Sequence, residues 1–241
     1  MNESKSRGGR AAAFFDLDRT LIDVNSAVLY ARFERRAGRI SAWQLLQTVA
    51  NTLLYHLNLL DMQKAYAAAV AHYRGVPEQD IRERAQLFFA HEVKGRLQPG
   101  AQASLASHRR QGHPLVMLSS STCYQAAIAT QTWGLDDWIA NRFETMEGRL
   151  SGTFCQPLCY GPGKVELATR WACEHRVDLQ KSYFYSDSYS DLPMLQAVGF
   201  PVVVNPDPRL KKHALRSGWP LADWSRVSAE AFTPEAVKSS Y

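Results

Sequence analysis

The sequence has no uninterrupted apolar run of the ~18 residues that a membrane-spanning helix needs. Its most apolar stretch, residues 43–60, is broken by Gln44, Gln47, Asn51, His56 and Asn58. That stretch reads as a helix buried in a bundle, the alternative being a helix that rests on a membrane surface or on a partner. No membrane insertion is expected. The N-terminus is polar and rich in Gly and Arg, without the apolar segment of a secretory signal. Residues 1–10 read as a disordered tail. Cysteine is scarce: of Cys123, Cys155, Cys159 and Cys173, only Cys155 and Cys159 lie close, and no second pair follows to make a zinc site. Reduced thiols in a cytoplasmic protein are the expectation. The seven histidines are scattered, with no H-x-H or H-E-x-x-H, which speaks against zinc. No stripe of Lys and Arg interleaved with aromatics occurs, so the net charge of +5 does not imply nucleic acid. No G-x-S-x-G is present. Gly161 to Lys164 is not a P-loop, because Leu158 stands where its first glycine belongs and Val165 replaces Ser or Thr.

What remains is an ordinary globular chain of 241 residues, 46% hydrophobic and 21% charged. That length suits one large domain or a core with an inserted module. The mild positive balance suits a small anionic substrate. The organising stretch is Ala11-Ala12-Ala13-Phe14-Phe15-Asp16-Leu17-Asp18-Arg19-Thr20-Leu21-Ile22. A short buried strand ends in two carboxylates spaced i, i+2. As the chain turns there, Asp16 and Asp18 can converge just beyond the carboxyl end of a sheet, where open α/β sheets bind ligands. Two acids in that position call for a cation, and hard oxygen ligands favour Mg2+.

Residues 25–96 read as four successive helices. Ser26 caps one through Arg36. Ser41 starts the second, Asp61 caps the third, and Pro77 opens the fourth with Ile81, Ala85, Leu87, Phe88 and Phe89. From Pro99 the pattern alternates. Helices are expected over 100–111, from Thr122 or Ser121 to Trp133, over 163–175 and over 191–198. Strands are expected over 114–118, 142–145, 182–185 and 201–204, with 149–154 as an added hairpin arm. This series implies an α/β fold: a three-layer, Rossmann-like core with a parallel sheet, carrying an inserted all-helical cap. The expected boundaries are 11–24 and 97–224 for the core, 25–96 for a helical-bundle cap, and 225–241 for a C-terminal tail.

If the apolar strands are neighbours, their ends deliver polar groups to one rim. Each group has a task in phosphoryl transfer, where catalysis is mainly positioning and neutralising charge on the transferred group. The Ser119 hydroxyl, with backbone N–H groups of a helix N-terminus at Ser120, can donate to phosphoryl oxygens. Lys164 supplies a point charge. Asp187 completes a metal site with Asp16. Asp191, i+4 from Asp187, can hold a metal-bound water or orient Lys164.

In this order, Asp16-Leu17-Asp18-Arg19-Thr20-Leu21, Ser119 after an apolar strand, Lys164, and Asp187-x-x-x-Asp191 resemble the four motifs of the haloacid dehalogenase superfamily. The helical insert resembles the cap of its phosphoserine-phosphatase-like branch. The resemblance implies that Asp16 is the nucleophile and forms an aspartyl phosphate. It implies that Asp18 is the general acid and then the general base, and that Thr20 supports the loop. It implies Mg2+ held by Asp16, the Asp18 carbonyl and Asp187. A small phosphorylated metabolite is the implied substrate, phosphoserine-like or histidinol phosphate, for a monomer or homodimer.

Three positions depart from the pattern. Asn25 stands where phosphoserine phosphatases carry a glutamate that grips the substrate amine. Ser120-Ser121 replace a glycine pair, and Ser186 and Ser190 replace a glycine and an asparagine. Specificity is expected from the cap, with Asn25 and Arg32 as candidates beside Tyr30 and Phe33. Two further readings stay open: a phosphotransferase that passes the phosphoryl group to an alcohol, and a receiver-like module phosphorylated without turnover. Cap closure is expected about hinges at Ile22-Asp23-Val24 and Gln98-Pro99-Gly100.

Overall fold

The computed structural model describes residues 9–56 and 61–225. Most of both expected tails and residues 57–60, which include the expected end of the second insert helix at Leu57, lie outside the described residues. Where the chain becomes describable it is already tied down: Arg10 pairs with Val177 as an isolated bridge.

Six parallel strands form one sheet in the order β3-β2-β1-β6-β7-β8. They are β1 (Ala13–Phe15), β2 (Leu115–Thr122), β3 (Asp137–Asn141), β6 (Tyr183–Ser186), β7 (Phe200–Val204) and β8 (Leu221–Ala222). A separate antiparallel hairpin pairs β4 (Phe143–Met146) with β5 (Arg149–Phe154). Strands buried on both faces read as continuous apolar runs, and the central ones do. Alternate residues serve opposite layers. Ala13 and Phe15 of β1 pack with Ala101 and Leu105 of α5 (Pro99–Arg110) and with Ala126 and Ala129 of α6 (Cys123–Trp133). Phe14 faces the other way, toward Ala168 and Trp171 of α7 (Pro162–His175), Met194 of α8 (Leu192–Ala197) and Leu210 of α9 (Pro208–Ser217). The result is the three-layer α/β core that the alternation implied.

Between β1 and α5 the chain runs through α1 (Ser26–Arg36), α2 (Ala42–His56), α3 (Met62–Ala71) and α4 (Glu78–Phe88). Local chemistry explains each start. The Asn25 side chain accepts from the Val28 N–H, so Asn25 rather than Ser26 caps α1. Ser41 and Gln44 satisfy each other's backbone N–H groups in a capping box. Asp61 accepts from the Lys64 N–H. The insert leaves and rejoins the core side by side, with Ile22 bridged to Leu97.

Over residues 42–50, where its side chains are described, the second insert helix is not buried in a bundle. Trp43 is 70% and Leu46 57% exposed. Their spacing does make a stripe, but no described residue covers it. Leu87 of α4 is likewise exposed. Instead, the insert docks on the hairpin. Gly75 N–H donates to Leu150 O, Leu150 N–H to Val76 O, and Glu78 N–H to Gly148 O, while Tyr66 packs edge-on against Phe154.

Other departures sit at the sheet edges. The strand expected at 142–145 is an arm of the hairpin, and the core edge is β3, whose Asp137 and Trp138 are only half-buried. An edge strand covered on one face lacks the apolar run that marks a central one. Beyond Val204 the chain adds α9, capped by Asp207 through the Arg209 and Leu210 N–H groups, and then β8.

Candidate active site

β1 ends at Phe15, and Asp16 stands at the carboxyl edge of the sheet, its N–H donating to Tyr185 O of β6 at 3.0 Å. The next residues, Leu17–Leu21, form a wide turn closed by Leu21 N–H to Asp16 O and Ile22 N–H to Leu17 O. Inside it Asp18 is extended and Arg19 is left-handed at φ 56°. The turn lifts the Asp18 carboxylate to the start of α1, where it accepts from the Ser26 N–H at 2.9 Å.

Lys164 reaches this rim from the first turn of α7. Gly163 permits its approach, since a Cβ there would lie 2.0 Å from Leu158 O. The lysine is 1% exposed. Its Nζ donates to Asp16 Oδ1 at 2.7 Å and to Asp191 Oδ2 at 2.8 Å, and it lies above the Phe184 ring. Asp191 Oδ2 also accepts from Ser186 Oγ at 2.7 Å.

Asp187 lies in the loop after β6. It is buried, and no described residue gives its carboxylate a hydrogen bond or salt bridge. Ser119 is buried at the end of β2, its Oγ accepting from the Ser121 N–H at 3.1 Å. Thr20 is fully buried, and its hydroxyl finds no partner among the described residues.

The electrostatics follow from this crowding. Burial pushes Asp16 up to about 7, with Asp191 and Asp18 adding to the rise and Lys164 opposing it. Burial also raises Asp18, opposed by the hydrogen bond from Ser26. Asp187 is raised well above the carboxylate range by burial and then by Asp16 and Asp191. One lysine does not neutralise this many buried acids, so the site calls for a cation. Among the described residues no three His, Cys, Asp or Glu side chains surround one metal-sized point. The donors at hand are the Asp16 and Asp187 carboxylates and the Asp18 carbonyl. Mg2+ suits such a set, because it takes hard oxygens and keeps several waters. The bare Asp187 carboxylate is the observation that fits it.

Not every residue picked out in the sequence is brought here. Ser120 does not start a helix: β2 continues to Thr122, which caps α6 through the Gln125 N–H. The Ser120 carbonyl instead accepts from Asn141 Nδ2. Asp187 and Asp191 do not sit on one α-helical turn: Asp187 lies in the loop, and Asp191 ends a short 3-10 turn, Tyr189–Asp191, and stands at the N-terminal cap of α8. The Asn25 side-chain oxygen is occupied by the α1 cap. Arg32 is exposed on α1 and makes none of the contacts of the site.

The sequence pattern of the haloacid dehalogenase-like hydrolases matches residues 13–196. The chain belongs to that family. A histidinol-phosphatase from Neisseria meningitidis is 30% identical over 220 residues, spanning 88% of this chain and 98% of the relative. A phosphoserine phosphatase, SerB1, from Mycobacterium tuberculosis is 26% identical over 233 residues, 94% of this chain and 76% of the relative. A phosphoserine phosphatase solved as a phospho-aspartyl intermediate analogue superposes with a TM-score of 0.68 at 17% identity, covering 92% of this chain and 97% of that one. At that identity the likeness concerns the fold. No helix among the described residues is long and apolar enough to cross a membrane.

Three more polar residues hold these groups in place: Ser186, which the sequence marks only as a departure from the family pattern, and Asn141 and Gln98, which it does not single out. Ser186 holds Asp191, and Asn141 joins the end of β2 to the Cys159 N–H at 2.7 Å, bracing the approach to Lys164. Gln98 lies under the Asp18 loop. Each is a polar residue beside an apolar strand or a proline, a signal too common to stand out alone.

Proposed function

We propose that this hydrolase is a Mg2+-dependent phosphatase of small phosphomonoesters that works through an aspartyl phosphate on Asp16. The observation that carries the reading is Lys164 Nζ held between Asp16 and Asp191, beside the uncompensated Asp187 carboxylate. Lys164 opposes the rise that burial imposes on Asp16, a bound Mg2+ would add to that effect, and the second carboxylate oxygen is left free to attack. Asp16, Asp187 and the Asp18 carbonyl would hold Mg2+, which would supply charge neutralisation for the phosphoryl oxygens.

Asp16 attacks phosphorus in line, and the bond from phosphorus to the ester oxygen breaks. Asp18, whose hold on a proton is strengthened by burial, gives its proton to the departing oxygen. Its carboxylate then takes a proton from the attacking water, whose oxygen bonds to phosphorus as the bond to Asp16 breaks. Inorganic phosphate and free Asp16 result. Ser119 holds the phosphoryl oxygens with Lys164, and Ser120, which starts no helix, takes no part. Asp191 orients Lys164, and Thr20 braces the loop. The presence of Asp18 favours water as acceptor over an alcohol, and turnover over a receiver-like switch.

The substrate we infer is a small phosphorylated metabolite of the histidinol phosphate or phosphoserine class, in line with the names of the relatives. The insert sets the choice through residues other than Asn25, which is engaged in capping α1, and Arg32, which is exposed, and a cytoplasmic setting suits the free cysteines. A panel of amino-acid, amino-alcohol, sugar and nucleotide monoesters, with and without Mg2+, tests this by phosphate release. Asp16→Asn is expected to lose more than ~10³-fold in kcat with its circular dichroism unchanged. A fully active Asp16→Asn ends the reading.

A further inference from the structure

Gln98 is the residue through which the insert returns to the core. Pro99 follows it and holds its backbone extended, at φ −67° and ψ 144°. It stands at the N-terminal cap of α5, yet its side chain does not cap the helix. The side chain turns inward and is 3% exposed. There its Nε2 donates to Thr20 O at 2.7 Å and lies 3.2 Å from Arg19 O and 3.3 Å from Ile22 O. Its own N–H donates to Leu21 O at 2.9 Å. One residue thus collects the carbonyls of four successive residues of the loop that carries Asp18.

The direction of the amide follows from its surroundings. Carbonyls only accept, so the nitrogen must face them and Oε1 must face away. Oε1 accepts from Asn205 Nδ2 at 2.9 Å. Asn205 is oriented in turn by the Trp224 N–H, which donates to its Oδ1 at 3.1 Å. Arg19, left-handed at φ 56° and without the freedom of glycine, sits in a conformation that persists only when its surroundings hold it.

We propose that Gln98 is a positioning residue for Asp18: its amide fixes the left-handed turn at Arg19, and Asn205 fixes which way that amide points. Relaxation of Arg19 to a right-handed conformation would swing the peptide that follows Asp18, and both its carbonyl and its carboxylate would leave the rim. Because Gln98 lies at the insert's return linker, the geometry of the loop is tied to the seating of the insert. The kinetic side of the proposal rests on the phosphatase reading above; the structural side does not.

The test uses the full chain with Gln98→Met, which keeps the volume and loses the donors, Gln98→Glu, which sets a carboxylate against the carbonyls, and Asn205→Ala. Hydrogen–deuterium exchange at the Arg19, Leu21 and Ile22 amides is expected to speed up in all of them, with protection of the β1 and β6 amides unchanged. Unchanged exchange at the three loop amides overturns the proposal whether or not the wild type turns over. In single-turnover kinetics with Mg2+, transfer from an alkyl phosphate should slow about tenfold or more. Transfer from 4-nitrophenyl phosphate, whose leaving group needs no proton, should slow much less, and KM should hold. The double variant Gln98→Met/Asn205→Ala should be no slower than Gln98→Met alone. Equal slowing for both esters, or a lowered Tm with no kinetic change, assigns Gln98 a merely structural role and also overturns the proposal. A wild type inactive on every ester counts against the phosphatase reading and leaves the exchange result to decide this one.

Discussion

Phe14 in β1 and Trp43 in α2 are both large aromatics set among apolar neighbours in the sequence. Phe14 is fully buried between the sheet and α7, stacked edge-on against Trp171. Trp43 faces outward, 70% exposed. The sheet and the helical insert differ in what surrounds them. A central parallel strand has neighbours on two edges and helices on two faces, so its residues are enclosed whichever way they point. A helix in the insert has one neighbouring side, and burial reaches only the residues that face it. The acids of the candidate site accordingly follow strand ends, joined by Lys164 from the first turn of α7 and by the Ser26 N–H of the insert.

Breaking the enclosed region should cost most. Lys164→Met leaves Asp16 and Asp191 buried without their cation, with an expected loss of about 3–5 kcal/mol of unfolding free energy in urea. The loss should be larger at pH 8 than at pH 5, because protonation relieves the stranded carboxylates. Phe14→Ala should cost a comparable 3–5 kcal/mol or so from lost packing and the cavity left behind, with no dependence on pH.

Asp187→Asn sharpens the comparison in the other sense. The folded protein holds a proton on Asp187 more tightly than the unfolded chain does. In the metal-free wild type this group therefore stabilises relatively more at low pH, and its contribution falls as pH rises past the unfolded carboxylate value near 4. Replacing it should raise stability by about 0.5–2 kcal/mol at pH 7 in EDTA. The gain should vanish near pH 4 and reverse with saturating Mg2+, as thermal melts would show. Trp43→Gln should move stability by no more than ~0.5 kcal/mol. A larger loss by urea titration would mean that the exposed stripe is covered in solution.

Much of the core was legible because burial writes itself into composition. The runs around Phe14, Val116, Phe184 and Val203 could only be central strands, and the polar residues that end them marked the rim. Helix starts at Ser41, Asp61 and Pro77 carried their own signals. The edge elements were not legible in the same way. β3 has a half-buried, mixed sequence, and β8 is two residues long. The burial of α2 was misjudged because an apolar stripe says that a face is apolar, not that anything covers it. Ser120 was misplaced by assuming that the helix begins where the apolar strand ends.

Residue order alone determined the acids at the end of the first strand, the serine, the lysine and the later acids, each attached to a recognisable strand or helix start. Those are local facts, set by neighbours a few positions away. Only the tertiary structure decided that Lys164 bridges Asp16 and Asp191, that Asp187 is left without a cation, and that Gln98 and Asn205 lie under the Asp18 loop. These pairs are separated by up to 148 positions along the chain. Such contacts arise from the register of parallel strands and the packing of helices across them, and no local pattern encodes a distance between chain segments so far apart.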